Sequence, residues 1–315
     1  MKILYIDYGN VLHDDYMYQY YGDLFRELQQ LSQIYVYQGP INNINSLFPE
    51  LEKEVDCIIF GLGYFTQNFS QAYQKIVGLD RIKVPVVCLI HKPQIMIEEK
   101  LNFCKINNVD LICDSQCTYE KFGEITGIKT IRLPFTATPK HYYPRDTIKK
   151  YDIGFCGALH GAGKIDGPTR DLRSRIYDKL QEGESNIYWN SSNTLDYRIS
   201  SVEEYATKIN ECKIWLSTTG PTLDVSPRYF EVMLSRTLLI CNEMPEQYGN
   251  YFTNGVNCVT FNNDLSDFNE KLSYYLKNES EREAIIERAY DETINNYTWK
   301  HMALKLLNEI GSTKK

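Results

Sequence analysis

The sequence predicts an α/β protein made of two parallel-sheet units of similar size, joined by a proline-rich linker. Three observations carry that prediction. Short apolar runs alternate with helix-like segments through both halves of the chain. The runs are apolar almost throughout, which suits strands covered on both faces by helices. Between the halves, the stretch from Leu133 to Pro144 holds three prolines and has no periodicity, as a linker does.

In the first half, strands are expected at 2–6, 34–37, 57–60, 84–90, 111–113 and 130–133, with helices near 16–31, 66–78, 95–107 and 116–126. In the second half, strands are expected at 151–156, 186–189, 213–216, 237–241 and 258–261. The domain boundaries that follow are a first unit over 1–135, a linker over 136–150, a second unit over 151–297 and a last helix over 298–315, opened by Thr298. Ser201 with Glu204, and Ser280 with Glu283, fit the capping box, in which a side chain and a backbone N–H at a helix start satisfy each other. Ile286, Tyr290, Ile294 and Tyr297 share one face at helical spacing. No short-period repeat is present.

A chain of 315 residues accommodates two such units. The net charge of −7 argues against non-specific binding to nucleic acid or an anionic membrane. Aromatic and basic residues are not interleaved as in a nucleic-acid module, so no nucleic-acid partner is expected. The start, MKILYID, is a strand and not a signal peptide, and no run approaches the ~18 apolar residues of a membrane helix. A cytoplasmic protein without an integral membrane segment is the expectation. The nine cysteines form no CxxC pair and fall mostly within predicted elements, as buried free thiols in a reducing compartment do. Cys113 and Cys117 have no histidine near them in sequence, so no metal site is predicted there. GxSxG, HExxH and DxD motifs are absent.

Ligands of doubly wound sheets bind at the carboxyl ends of the strands, so residues just after strands matter most. The strand at 151–156 runs into GALHGAGKIDGPTR, residues 157–170. Glycines at 154, 157, 161, 163 and 167 let backbone approach a phosphate, and Lys164 and Arg170 would add charge. The spacing fits neither a Walker loop nor GxGxxG, which disfavours an NTPase or a dinucleotide oxidoreductase. A solvent-exposed loop is the other reading of the same residues.

A second constellation is SPRYFE, residues 226–231. Ser226 reads as a helix cap and Pro227 as the first helical residue, leaving free N–H groups that bind an anion. Arg228 then stands in the first turn, where a cation is unfavourable unless it meets a strong anion such as a diphosphate. Glu231 lies one turn on, in an apolar run, and needs a partner such as a sugar diol. An ion pair between Arg228 and Glu231 within the helix would satisfy both groups equally well.

His91 ends the strand VVCLI and stands where a general base would. A hydrogen-bonded loop histidine is the plain alternative. Asp7 ends the first strand in the same way, within DYGN, which also reads as a turn.

Taken together, YDIGFCG (151–157), KIWLSTTG (213–220), SPRYFEVMLSRTLLI (226–240), NGVNCVTF (254–261) and YYLKNESER (274–282) resemble the C-terminal domain of GT-B-fold glycosyltransferases. The nearest branch is that called glycosyl transferases group 1, or CgeB-like. The resemblance covers about residues 150–300 in detail and residues 1–135 only in architecture.

The resemblance implies two Rossmann-like domains facing a central cleft, with the C-terminal helix crossing back to the first domain. It implies a nucleotide-sugar donor held by the second domain, and an acceptor of carbohydrate, protein or small-molecule type on the side of the first. The activity implied is hexosyl or pentosyl transfer that needs no metal and no cofactor beyond the nucleotide-sugar co-substrate. Arg228 would lie at the diphosphate and Glu231 at the ribose. Gly157, His160, Lys164, Ser226 and Tyr229 complete the expected binding set, and His91 is the candidate base if configuration inverts.

In many relatives a further glutamate, eight residues before the ribose-side one, lies near the sugar. This chain has Leu223 there, with Asp224 beside it. A non-catalytic nucleotide-sugar-binding or assembly module, or a nucleotide-sugar epimerase, are the alternatives on the same fold.

Overall fold

A computed structural model describes residues 1–7, 19–39, 41–47, 54–65, 74–92, 95–115, 119–159, 167–191, 199 and 201–313. The chain divides into two compact units, Met1–Phe135 with Trp299–Lys315, and Thr136–Thr298.

The first unit holds a six-stranded sheet of β1 (Lys2–Asp7), β2 (Gln33–Gln38), β3 (Cys57–Phe60), β4 (Val86–Ile90), β5 (Leu111–Asp114) and β6 (Lys129–Arg132). The order is β2-β1-β3-β4-β5-β6 and every pairing is parallel. Strands β3, β4 and β5 are buried along their whole length, which explains their unbroken apolar runs. Strand β4 starts at Val86 and not at Val84, because Pro85 has no N–H to give to the ladder; only its carbonyl is used, by Ile58 N at 2.9 Å.

The helices described in this unit are α1 (Gln19–Leu31), α2 (Ile97–Ile106) and α3 (Tyr119–Thr126). The helix expected near 66–78 falls largely outside the described residues; at its end the chain forms a short 3-10 turn over Leu79–Arg81 instead. The chain switches direction across the sheet between β1 and β3. There Asp7, fully buried, accepts the N–H of Gly63 at 3.1 Å. A Cβ on Gly61 or Gly63 would stand 2.2 Å from an Asp7 carboxylate oxygen, so both positions need glycine.

The second unit holds a five-stranded parallel sheet of β7 (Tyr151–Cys156), β8 (Ile187–Asn190), β9 (Cys212–Ser217), β10 (Leu238–Asn242) and β11 (Val259–Phe261), in the order β11-β10-β9-β7-β8. Its helices among the described residues are α4 (Leu172–Gln181), α5 (Val202–Asn210), α6 (Arg228–Leu234), α7 (Phe268–Lys277) and α8 (Glu279–Asn296). Residues 136–150 contain no strand or helix and lie along this unit. The Arg145 backbone N–H donates to Asn210 Oδ1 at 2.9 Å, and Lys149 Nζ donates to Cys212 O at 2.8 Å.

The two capping boxes part company. Ser201 caps α5 as expected, accepting the N–H of Glu204 at 3.1 Å. Ser280 does not cap, because α8 already starts at Glu279 beyond Asn278. The buried side of α8 is Arg282, Ile285, Ile286, Ala289 and Thr293, one step round from the face that spacing suggests.

The last helix, α9 (Trp299–Ser312), returns to the first unit and packs on α1. Trp299 is buried there with its ring edge-on to Phe135, and Lys305 Nζ donates to Arg132 O at 2.8 Å. No described helix is long and apolar enough to cross a membrane.

Candidate functional site

In the second sheet the chain changes direction between β7 and β9, and the loops after those two strands meet there. Such a switch point opens a crevice at the strand ends. The residues gathered at this one come from four segments: the turn after β7, the start of α4, the loop after β9 and the start of α6.

Gly157 follows β7, and its N–H donates to Asn190 O at 2.9 Å. A Cβ on Gly157 would lie 3.2 Å from Nη1 and 3.4 Å from Cζ of Arg228, so the guanidinium rests on bare backbone. This explains an arginine in the first turn of a helix: its charge is spent across the turn after β7 and not along the axis of α6.

Pro227 already has helical angles (φ −52°, ψ −28°), and Ser226 O accepts the N–H of Tyr229 at 3.3 Å. The Ser226 hydroxyl makes no cap, however, and is buried without a hydrogen-bond partner among the described residues. Here the structure departs from the expected side-chain cap, because a helix whose first peptide is locked by proline is already started.

The second cation is Arg173, the second residue of α4, which is only 6% exposed. Its Nε donates to Thr218 Oγ1 at 2.7 Å and its Nη1 to Ala158 O at 2.7 Å. Its Cζ lies 5.8 Å from the centre of the Phe155 ring. Burial, and then the charge of Arg228, lowers its pKa to about 10. The two guanidinium groups are close enough to repel, and an anion near them would offset that repulsion.

Cys156 ends β7 among these charges. Burial raises its pKa, with Arg228, Glu231 and Arg173 the charged groups acting on it. That places Glu231, 8% exposed, on the same side of α6 as the arginines. Tyr229 lies near Arg173, close enough for each to act on the other's charge. It is fully buried with its ring 5.2 Å from Phe252, and burial holds its hydroxyl well above the usual tyrosine range.

The loop after β9 is fixed from behind. Thr219 N donates to Asn242 Oδ1 at 2.8 Å, and Asn242 Nδ2 returns a bond to Thr219 Oγ1 at 3.0 Å. Gly220 N donates to Asp224 O at 2.8 Å, and Leu223 adopts φ 65°, a left-handed conformation rare for a residue with a Cβ. Asp224 is among the charges acting on Arg173. Thr169 Oγ1 donates to Gly220 O at 2.7 Å, and a Cβ on Gly167 would collide with Pro221 O at 1.8 Å. Gly167 therefore serves close packing of its segment onto this loop.

Gly157, Ser226, Arg228, Tyr229 and Glu231 thus share one neighbourhood. His160 and Lys164 lie outside the described residues. His91 belongs to the first unit, at the end of β4. It is half-buried, with its ring edge-on to Phe135 at 4.9 Å. Burial, then the charges of Lys92 and Lys100, hold its pKa well below the usual 6.5, so the ring is neutral at neutral pH.

Arg173, Thr218 and Ala158 O escape a reading of the sequence alone. The signal for Arg173 was present: like Arg228, it is an arginine in a first helical turn just after a glycine-rich or proline-bearing loop. Among the described residues, no three His, Cys, Asp or Glu side chains stand where they could hold a metal ion.

Residues 167–308 match the family model described as glycosyl transferase-like. Anabaena HepE in complex with UDP aligns with TM-score 0.63 at 11% identity, covering 99% of this chain and 100% of that one. HepE in complex with UDP-glucose aligns with TM-score 0.59 at 13% identity, over 99% and 100% of the two chains. Sucrose-phosphate synthase from Thermosynechococcus elongatus aligns with TM-score 0.62 at 10% identity, covering 98% of each chain. At such identities the likeness is one of fold. No curated protein matches the chain by sequence.

Proposed function

We propose, on the premise that this chain has the GT-B fold and is glycosyl transferase-like over residues 167–308, that it moves a sugar from a nucleoside-diphosphate sugar to an acceptor hydroxyl. The observation that carries the reading is the convergence of Arg173 and Arg228 on the backbone of Gly157 and Ala158 at the switch point of the second sheet. A diphosphate suits a place where two guanidinium groups lie close together, since its charge offsets theirs.

In the proposed reaction the acceptor oxygen attacks the anomeric carbon and the bond from that carbon to the diphosphate oxygen breaks. Negative charge grows on the leaving diphosphate, and the two arginines stabilise it where it grows. They supply cationic charge without a metal ion, and metal independence is part of the proposal. Glu231 accepts hydrogen bonds from the ribose hydroxyls. His91, neutral at working pH, takes the acceptor proton if configuration inverts.

The uridine nucleotide in the HepE structures makes a UDP-sugar the first donor to test. The cysteines among the described residues are all free thiols, which agrees with a cytoplasmic site of action.

The test is thermal melting with UDP, GDP, ADP and CMP and their sugar conjugates, with and without magnesium. A ligand at about 100 times its dissociation constant adds about 2.7 kcal/mol, a shift a melting curve resolves. One nucleotide should raise Tm selectively and without magnesium, and its sugar conjugate should release that nucleotide when an acceptor is added. No shift with any of them, in a folded sample, would sink the donor site. Binding without release across a broad acceptor panel would leave a binding module.

A further inference from the structure

Lys100, the fourth residue of α2, is 1% exposed. A buried ammonium persists only where several acceptors hold it. Its Nζ donates to two successive backbone carbonyls, His91 O at 2.8 Å and Lys92 O at 3.0 Å. Two consecutive carbonyls meet on one cation only where the chain turns. Lys92 makes that turn in the left-handed region, at φ 49°, which a residue with a Cβ adopts under constraint. The buried carboxylate of Asp114, at the end of β5, and that of Glu99 are the negative charges acting on the ammonium. The turn held in this way is the one that carries His91.

We propose that Lys100 is a positioning residue for His91. Its ammonium clamps the His91 and Lys92 carbonyls and fixes the turn that sets the His91 ring against Phe135 at the end of β4. A carbonyl clamp is suited to this task because it acts on the backbone and does not itself engage the imidazole.

The electrostatics follow from the geometry. Burial first, then Lys92, lowers the Lys100 pKa to about 8, against the opposing pull of Asp114 and Glu99. The clamp is therefore charged at neutral pH and loses its charge as pH rises past about 8. The charges facing His91 are those of Lys92 and Lys100, and both disfavour its protonation. Any effect on turnover rests on the proposed role of His91 as base; the clamp itself does not.

The experiment is an NMR titration of the His91 ring in the full chain and in Lys100→Met, with His91→Gln used to assign the signal. In Lys100→Met the midpoint should move up by roughly half a unit or more as a facing positive charge is lost. The ring-current displacement imposed by Phe135 should shrink as the ring loosens. Lys100→Arg keeps the charge and should return the midpoint towards the wild type. Turnover should fall about tenfold in Lys100→Met with the donor KM unchanged.

An unmoved midpoint and ring-current shift in folded Lys100→Met overturn the proposal whatever turnover does. If both move and turnover does not, the clamp stands and His91 is removed as the base. If Lys100→Met does not fold, amide exchange in the wild-type chain takes its place. Protection of Ile95, whose N–H donates to Lys92 O at 3.0 Å, corrected for intrinsic rate, should fall as pH rises past about 8, and constant protection overturns the proposal.

Discussion

The guanidinium of Arg228 lies on Gly157 so closely that a Cβ there would stand 3.2 Å from its Nη1. The contact joins two segments more than seventy residues apart in sequence and gives each a reason. Glycine is needed so that the arginine can approach, and the arginine reaches over the turn where a ligand of this sheet would bind.

Gly157→Ala is therefore expected to displace Arg228 and, at φ 156°, to strain the turn after β7 as well. The added methyl would also meet Phe155 Cζ at 3.4 Å, so the guanidinium is the group that must yield. Nucleotide affinity should fall about tenfold, the equivalent of about 1.4 kcal/mol. Isothermal titration measures it, and unchanged affinity would detach this contact from binding.

Arg173→Met removes a donor from both Thr218 Oγ1 and Ala158 O. A hydrogen bond to a charged group contributes about 1.5–3 kcal/mol, so nucleotide affinity should drop roughly ten- to a hundredfold. Melting temperature should fall as well, since the buried Thr218 hydroxyl and the part-buried Ala158 carbonyl both lose their donor. A lower Tm with unchanged affinity would make Arg173 a packing residue only.

For Glu231→Ala, nucleotide affinity is again expected to fall roughly ten- to a hundredfold. The decisive comparison uses a 2′-deoxynucleotide. Wild type should discriminate against it, and the variant should bind both nucleotides alike. Retained discrimination in the variant would assign the ribose to another group.

His91→Gln should abolish most turnover while leaving donor affinity as it was, and normal turnover would exclude His91 as the base. A pH signature accompanies it. The His91 pKa is depressed in the folded chain, so below about 6.5 the unfolded state binds a proton that the folded state refuses. Stability is thus full above that value and declines as pH falls towards the folded pKa. Melting curves from pH 7 to pH 5 should show a smaller decline for His91→Gln than for wild type.

Much of this molecule is legible in its sequence. All eleven expected strands form, because a run such as CIIF at 57–60 or VVCLI at 86–90 has few alternatives to a strand buried on both faces. The Ser201 cap was readable because it needs only residues three positions apart. Ser280 misled for the same reason: the box is a local pattern, and the neighbouring turn at Asn278 started the helix first. Arg228 and Glu231 stood out as charges in an apolar run. Arg173 did not, although its position in α4 repeats the anomaly of Arg228 in α6.

By itself, then, the sequence determined two parallel-sheet units and a short helix start bearing an arginine and a glutamate. Periodicity, capping and proline act over a few residues and leave their mark in order along the chain. Only the tertiary structure decided that Arg173 and Arg228 share one site, and that a buried Lys100 holds the turn of His91. Those relationships depend on strand order. With β7 placed between β8 and β9, the ends of β7 and β9 become neighbours, and the charges carried by α4 and α6 meet across them. No local preference of the chain encodes which strand ends will lie side by side; the packing of the whole unit does.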